Sequence, residues 1–274
     1  MAVHDELGIR MKTFYEQIPK TKLMRRTPVA IRIDGKAFHM FTRGFQKPFD
    51  EVLMKSMQQT MKYLCENIQG CVLGYTQSDE ITLILVDYKK LTSSAWFDYE
   101  VQKMCSIAAS MATMAFNKFF EKEVREWGWQ QGFPHKTTEW TPETSTTWFK
   151  YHDAIDKGAM FDARVFNVPK EEVTNLIYWR QLDATRNSIQ MVGQANFSHK
   201  ELQDKSCNEI QDMLMVHRGI NWNDLPVNQK RGSCCIKRKY NINGVERTFW
   251  SIDNNIPIFK KEGREYIDKL ITFE

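Results

Sequence analysis

Residues 29–35, Val-Ala-Ile-Arg-Ile-Asp-Gly, decide how the rest of the chain is read. An aliphatic, β-branched run that stops at the turn pair Asp34-Gly35 predicts a short strand from Val29 to Ile33. From about Asp50 to Gln69 the apolar residues Leu53, Met57, Met61, Leu64 and Ile68 step by four, four, three and four, the spacing of a helix with one buried face. Gly70 is the expected stop. Beyond it, Cys71–Tyr75 and Ile81–Val86 are two β-prone runs around Thr76-Gln77-Ser78-Asp79-Glu80, the pattern of a hairpin.

A second helix is predicted from about Trp96 to Trp127, with Phe97, Val101, Met104, Ala108, Met111, Ala115 and Phe119 on one face. The tryptophan-rich stretch 128–158 is too polar and irregular to assign. Phe161 to Val168 alternates as a fourth strand and ends at Pro169. The order β-α-β-β-α-β is that of the split βαβ, or ferredoxin-like, fold: an antiparallel sheet with both helices on one face, in the α+β class. Helices follow from about Glu171 to Ala195 and from Ser198, where Glu201 supplies a capping box. Asn243-Gly244 between strand-like runs predicts a type I′ hairpin over about Ser233 to Ile252. The expected organisation is a catalytic domain over residues 1–169, with a helical and hairpin region over 170–274 packed on it.

Composition fits a folded domain: 274 residues, 42% hydrophobic and 26% charged, which excludes disordered and low-complexity classes. The net charge of +4 permits an anionic partner without demanding one. No run approaches the roughly 18 consecutive apolar residues of a membrane helix, and the opening residues lack a secretory signal's apolar core, so a cytoplasmic protein is expected. The six cysteines include no C-x-x-C pair and read as small buried thiols in a reducing compartment.

The helical crossover between Ile33 and Cys71 makes the first two strands parallel and brings their ends to one edge of the sheet. Asp34 and Asp79 then meet there, with Glu80 beside them. Clustered carboxylates repel unless a cation neutralises them, and hard oxygen ligands suit Mg²⁺, which takes one or two carboxylates and completes its shell with water and phosphates. Two such ions suffice for phosphoryl transfer. The competing reading is conformational, since aspartates at strand ends often cap nearby backbone groups. Gly35 allows a close backbone approach, the amides from Lys36 to His39 offer a phosphate cradle, and Arg32, Lys36, Arg43 and Lys47 add the positive charge a nucleoside triphosphate needs.

Five ordered stretches resemble the tRNA-His guanylyltransferase family: Arg32-Ile33-Asp34-Gly35-Lys36-Ala37-Phe38-His39, Lys47-Pro48-Phe49-Asp50, Gly74-Tyr75-Thr76-Gln77-Ser78-Asp79-Glu80, Phe161-Asp162-Ala163-Arg164 and Tyr178-Trp179-Arg180-Gln181-Leu182-Asp183. The resemblance implies a polymerase-like palm that adds nucleotides to the 5′ end of tRNA, in the 3′-to-5′ direction. It implies that Asp34, Asp79 and the Gly35 carbonyl bind two Mg²⁺ ions, with Glu80 supporting the site. It places Asp34, Gly35, Lys36, Ala37, Phe38 and His39 on the nucleotide, Ser78 and Asp79 on its triphosphate, Lys47 on a phosphate, and Asp50 as the residue orienting that segment. ATP or GTP would activate the tRNA 5′-monophosphate before an incoming nucleotide attacks. The family resemblance also suggests a homotetramer.

Where eukaryotic members carry His-Ile-Asn-Asn-Leu-Tyr-Asn to read the histidine anticodon, this chain has Thr185-Arg186-Asn187-Ser188-Ile189-Gln190-Met191. That difference favours the bacterial-type tRNA-His guanylyltransferase-like branch, which repairs truncated tRNA 5′ ends on the template of the opposite strand. A guanylyltransferase adding a single 5′ G, a non-catalytic tRNA-binding protein and a nucleotide cyclase are the alternatives. Trp129, Trp140 and Trp148 either pack their segment onto its own domain or a neighbouring subunit, or stack on an unpaired RNA end. Lys230-Arg231 and Lys237-Arg238-Lys239, flanking or within the predicted hairpin, are candidates for contact with tRNA phosphates, the competing reading being a solvated surface.

Overall fold

Strand β1, Val29–Gly35, runs two residues past the expected end, because Asp34 still pairs with β3 and β4 and Gly35 with β4. The computed structural model describes residues 5–242 and 245–273. After a helical turn near the N terminus (α1, Glu6–Met11) come β1, a one-turn helix α2 (Phe38–Phe41), α3 (Glu51–Asn67), β2 (Cys71–Gln77), β3 (Glu80–Leu85), α4 (Val101–Gln130), α5 (Pro142–Lys157) and β4 (Phe161–Asn167). The chain continues through α6 (Lys170–Asn196), α7 (His199–Leu202), α8 (Cys207–Arg218), α9 (Val227–Arg231), β5 (Ser233–Ile242), β6 (Val245–Asp253) and α10 (Glu265–Ile271).

The six strands form one sheet in the order β4-β1-β3-β2-β5-β6, with every neighbouring pair antiparallel. β1 and β2 do point the same way, as the crossover helix requires, but β3 lies between them. The tight β2–β3 turn folds β3 back beside β2, and its other edge then supplies the ladder for β1. The C-terminal hairpin extends the same sheet through β2. Ile242 pairs with Val245, while the expected turn at Asn243-Gly244 lies outside the described residues.

Alternation along the strands splits the interior in two. Ile31, Ile33, Ile81, Leu83 and Leu85 face α3 and α4, where they join Met57, Met61, Met104 and Phe116. Ala30, Leu73, Tyr75 and Ile84 face α6 and α10, packing against Val173, Ile177 and Ile267. A smaller cluster of Ile189, Val192, Ile210, Leu214 and Trp222 seats α8 on α6. Cys65, Cys71, Cys234 and Cys235 are buried free thiols, while Cys105 and Cys207 are half-buried.

Three local expectations differ. Helix α4 starts at Val101 rather than Trp96 because Phe97, Asp98 and Tyr99 hold positive φ; the Asp98 carboxylate there binds Lys22 and Arg25, and Lys22 bridges Glu100. The unassigned stretch 128–158 contains α5, capped by Thr141, whose hydroxyl accepts from the Thr144 amide at 3.1 Å. Trp148 stacks on Trp127 and Phe133, with ring centres 6.3 and 4.8 Å apart, and Trp140 meets it edge-on, so two of the three tryptophans pack onto their own domain while Trp129 stays exposed. The capping box at Ser198 exists but starts a single turn; a positive φ at Asp204 ends it, and a second box, Ser206 with Glu209, starts α8.

Candidate active site

The edge where β1 ends and β2 turns into β3 collects the acidic residues. Asp34 pairs across the ladders with Glu80 on one side and Asp162 on the other, and the Gly35 amide donates to the Asp79 carbonyl at 3.2 Å. Directly paired residues share a face, so Asp34, Glu80 and Asp162 all project away from α3 and α4. A Cβ on Gly35 would sit 2.3 Å from the Phe38 ring, which is held by Phe41, Phe116 and Phe161. Glycine is therefore what lets the strand end close over this aromatic cluster.

Ser78 and Asp79 form the two-residue turn between Gln77 and Glu80. Ser78 has φ 50°, a left-handed position usually given to glycine in such turns, and its hydroxyl donates to Asp79 Oδ1 at 3.0 Å. Burial raises the Asp79 carboxyl above its ordinary range; the Ser78 hydroxyl offsets part of this, and the Asp34 charge pushes it up further. Among the described residues neither Asp34 nor Asp79 makes an ion pair. Two neighbouring carboxylates and the Gly35 carbonyl are an all-oxygen donor set with uncompensated negative charge, which fits Mg²⁺. No group of three or more His, Cys, Asp or Glu side chains converges to hold a metal among the described residues, so water and phosphate would complete its shell.

Glu80 has a different setting. It is buried, with Arg32 Nη2 2.9 Å from Oε2 and Arg180 Nε 3.4 Å from Oε1. Arg180 in turn reaches Asp183 at 2.8 Å. Burial raises the Glu80 carboxyl, and Arg180 and then Arg32 pull it back down. The Tyr-Trp-Arg-Gln-Leu-Asp stretch thus ties α6 to the sheet beneath the carboxylates, and Gln181 joins the C-terminal segment by donating to the Pro257 carbonyl and accepting from the Phe259 amide. Arg32, expected to serve a triphosphate, is committed to Glu80.

The segment after Asp34 is only partly a cradle. The Lys36 amide donates to the Met160 carbonyl at 2.8 Å, so its exposed ammonium is the group left for phosphate. Ala37 is left-handed with φ 51°, the Phe38 side chain is in the core, and His39 is exposed. Lys47 is exposed beside shallow grooves near Gln190 and Gln194 and near Thr146, and does not line the groove at Ser78. Arg43 lies in another depression, with Lys150 and Lys157. Asp50 does organise its neighbourhood: it caps α3 by accepting from Leu53 at 2.9 Å, and it also accepts from the Gln46 amide at 3.0 Å and the Tyr151 hydroxyl at 2.8 Å.

A groove of about 550 Å³, partly open to solvent, runs from Gln77 and Ser78 between Phe49 and Leu53 on one side and Asn187, Met191, Asn228 and Gln229 on the other. Sequence reasoning missed Asn228 and Gln229, because α9 reaches this edge only through tertiary packing. Lys230 is a correction: it is buried, its ammonium donates to the Asn223 carbonyl and lies over Trp222, so it is not a phosphate contact. Lys237, Arg238 and Lys239 are exposed on the hairpin.

A ferredoxin-like sheet with paired carboxylates at one strand end and a groove beside them is a polymerase-palm-like architecture. The family model for tRNAHis guanylyltransferase, Thg1, matches residues 8–169. A bacterial tRNA(His) guanylyltransferase (Thg1)-like protein in complex with ATP has a solved structure that is 41% identical, covers 98% of this chain and 100% of that one, and superposes with a TM-score of 0.79. A structure described in the same words but in complex with GTP is 39% identical over the same shares, with a TM-score of 0.76. The tRNA(His) guanylyltransferase of Saccharomyces cerevisiae is 25% identical over 224 residues, 77% of this chain and 82% of that protein. The chain belongs to the tRNAHis guanylyltransferase family, whose members are nucleotidyltransferases. Among the described residues no helix is long and apolar enough to cross a membrane.

Proposed function

We propose that this protein is a template-dependent 3′-to-5′ nucleotidyltransferase that restores truncated 5′ ends of tRNA in the cytoplasm. The observation that carries the reading is the pair Asp34 and Asp79, uncompensated by any cation among the described residues and opening beside the groove at Ser78. Asp34, Asp79 and the Gly35 carbonyl would hold two Mg²⁺ ions, which when bound lower the pKa of an attacking hydroxyl and neutralise the triphosphate. Ser78 orients the Asp79 carboxylate, the exposed Lys36 and His39 meet phosphate, and Glu80 with Arg32 and Arg180 holds the β1–β3 edge rigid. Residues 1–169 form the catalytic unit, with 170–274 supporting it.

Repair is favoured over strict tRNA-His addition by what residues 185–191 do. Ser188 is buried and accepts from Trp222 Nε1 at 3.0 Å, Ile189 is in the core, and Thr185 bonds to the Gln181 carbonyl. Asn187 and Met191 line the groove. Thr185, Ser188 and Ile189 are engaged by the fold while Arg186, Gln190 and Met191 stay exposed, and with no His or Tyr in the segment template pairing would supply the sequence information. Exposed Leu7, Phe14, Tyr15 and Ile18 near the N terminus support an association surface, and light scattering tests whether it builds the homotetramer the family resemblance suggests.

The test is single-nucleotide extension with Mg²⁺, ATP and all four nucleotides on a tRNA lacking its first 5′ residue and on intact tRNA-His. Templated restoration of truncated tRNAs in general is expected. A lone G added only to tRNA-His would replace the repair reading, and addition to neither would replace the enzyme with a binding protein.

A further inference from the structure

Trp179 is a large aromatic residue left 52% exposed beside the carboxylate face. It sits on α6 one residue before the buried Arg180, whose guanidinium carbon lies 3.9 Å from the indole centre, with that of Arg32 at 5.8 Å. Both arginines are anchored on Glu80, so the ring is held against a fixed cationic base while much of it faces solvent.

The sheet next to it is uncovered. Asp162 and Arg164 on the edge strand β4 are exposed and pair with Asp34 and Arg32 on the same face. Along α6, Leu182 and Arg186 continue the exposed side at helical spacing. An open shelf with the carboxylates on its floor and an indole at its wall suits a flat, apolar-faced group attached to a phosphate. A nucleobase has that shape, and every base can stack whatever its sequence.

We propose that Trp179 is the stacking platform for the 5′-terminal base of the RNA acceptor, setting that end in register over Asp34 and Asp79. The assignment rests on the proposed nucleotide addition to RNA 5′ ends. Stacking ignores base identity, so the platform would tolerate every 5′ residue while the template strand chooses the incoming nucleotide. Arg180 and Arg32 keep the indole from collapsing onto the sheet, and Trp179 acts in binding rather than in proton or phosphoryl transfer.

The test uses the full chain and a truncated tRNA carrying 2-aminopurine as its 5′-terminal residue. Wild type is expected to quench the fluorophore on binding. Trp179→Ala should abolish that quenching and raise the KM for truncated tRNA roughly ten- to a hundred-fold, from the usual worth of one stacked base, while the KM for the nucleotide holds. Trp179→Phe should restore most of both effects, and Trp179→Leu neither. Equal quenching by wild type and Trp179→Ala would overturn the platform, as would a Trp179→Ala variant that lowers Tm without changing quenching or KM. Wild-type protein that neither binds nor extends truncated tRNA would instead overturn the proposed function, so the two failures are distinguishable.

Discussion

Arg180→Ala isolates the buried charge network beneath the carboxylates. Arg180 is 5% exposed and Glu80 8%, and removing one partner of such a pair leaves the other charge buried; the usual cost is about 3–5 kcal/mol. Arg32 still holds Oε2 at 2.9 Å, so the lower end, about 3 kcal/mol, is expected. For this 274-residue chain, at about 2–3 °C per kcal/mol, this lowers Tm by roughly 6–9 °C. The loss should depend on pH. Burial puts the folded Glu80 carboxyl above its unfolded value of 4.5, so the protonated form is favoured on folding. That contribution is fully present below the unfolded pKa and lost as pH rises through the folded one. Without Arg180 the folded pKa climbs further, so the deficit in urea unfolding should be full near about pH 8 and shrink toward about pH 5 as Glu80 protonates. Adding Glu80→Gln to Arg180→Ala should recover part of the loss at about pH 8. An equal deficit at both pH values, with no relief in the double variant, would refute the argument and assign the loss to packing.

Asp34→Asn and Asp79→Asn should each abolish nucleotide addition while tRNA binding, measured by filter retention, stays within a few-fold of wild type. Because burial and Asp34 hold the Asp79 carboxyl above its usual 3.8, Mg²⁺ affinity measured by calorimetry should weaken as pH falls toward that raised value, and Asp79→Asn should remove this dependence. Asp50→Ala deletes the α3 cap together with its bonds to Gln46 and Tyr151, and should cost about 2–3 kcal/mol in thermal or urea unfolding, with Asp50→Asn recovering much of it. Neutralising Lys237, Arg238 and Lys239 together should weaken binding to all tRNAs and flatten its salt dependence without altering template preference.

Much of the palm was legible because its signals are local. The period of Leu53 to Ile68 and the hairpin around Thr76–Glu80 depend on backbone sterics within a few residues, and α3, β2 and β3 form where those signals lie, whereas Asp34-Gly35, expected as a turn, continues β1. The carboxylates could be placed at one edge because a crossover helix constrains strand direction. The start of α4 was misread because Asp98 is held by Lys22 and Arg25, partners more than seventy residues away that interrupt an otherwise helical pattern. Helix α5 was obscured by a polar sequence whose aromatics gain their meaning only when Trp148 meets Trp127.

By itself the sequence determined the β-α-β-β-α-β order, the family motifs and the meeting of Asp34 with Asp79, since alternation, helical period and turn chemistry are written in neighbouring residues. Only the tertiary structure decided that β3 separates β1 from β2, that Arg32 and Lys230 are spent inside the fold, and that Trp179 stands open beside the carboxylates. A cation's role depends on which carboxylate or carbonyl lies within about 3 Å of it, and chain closure, not local preference, chooses that partner.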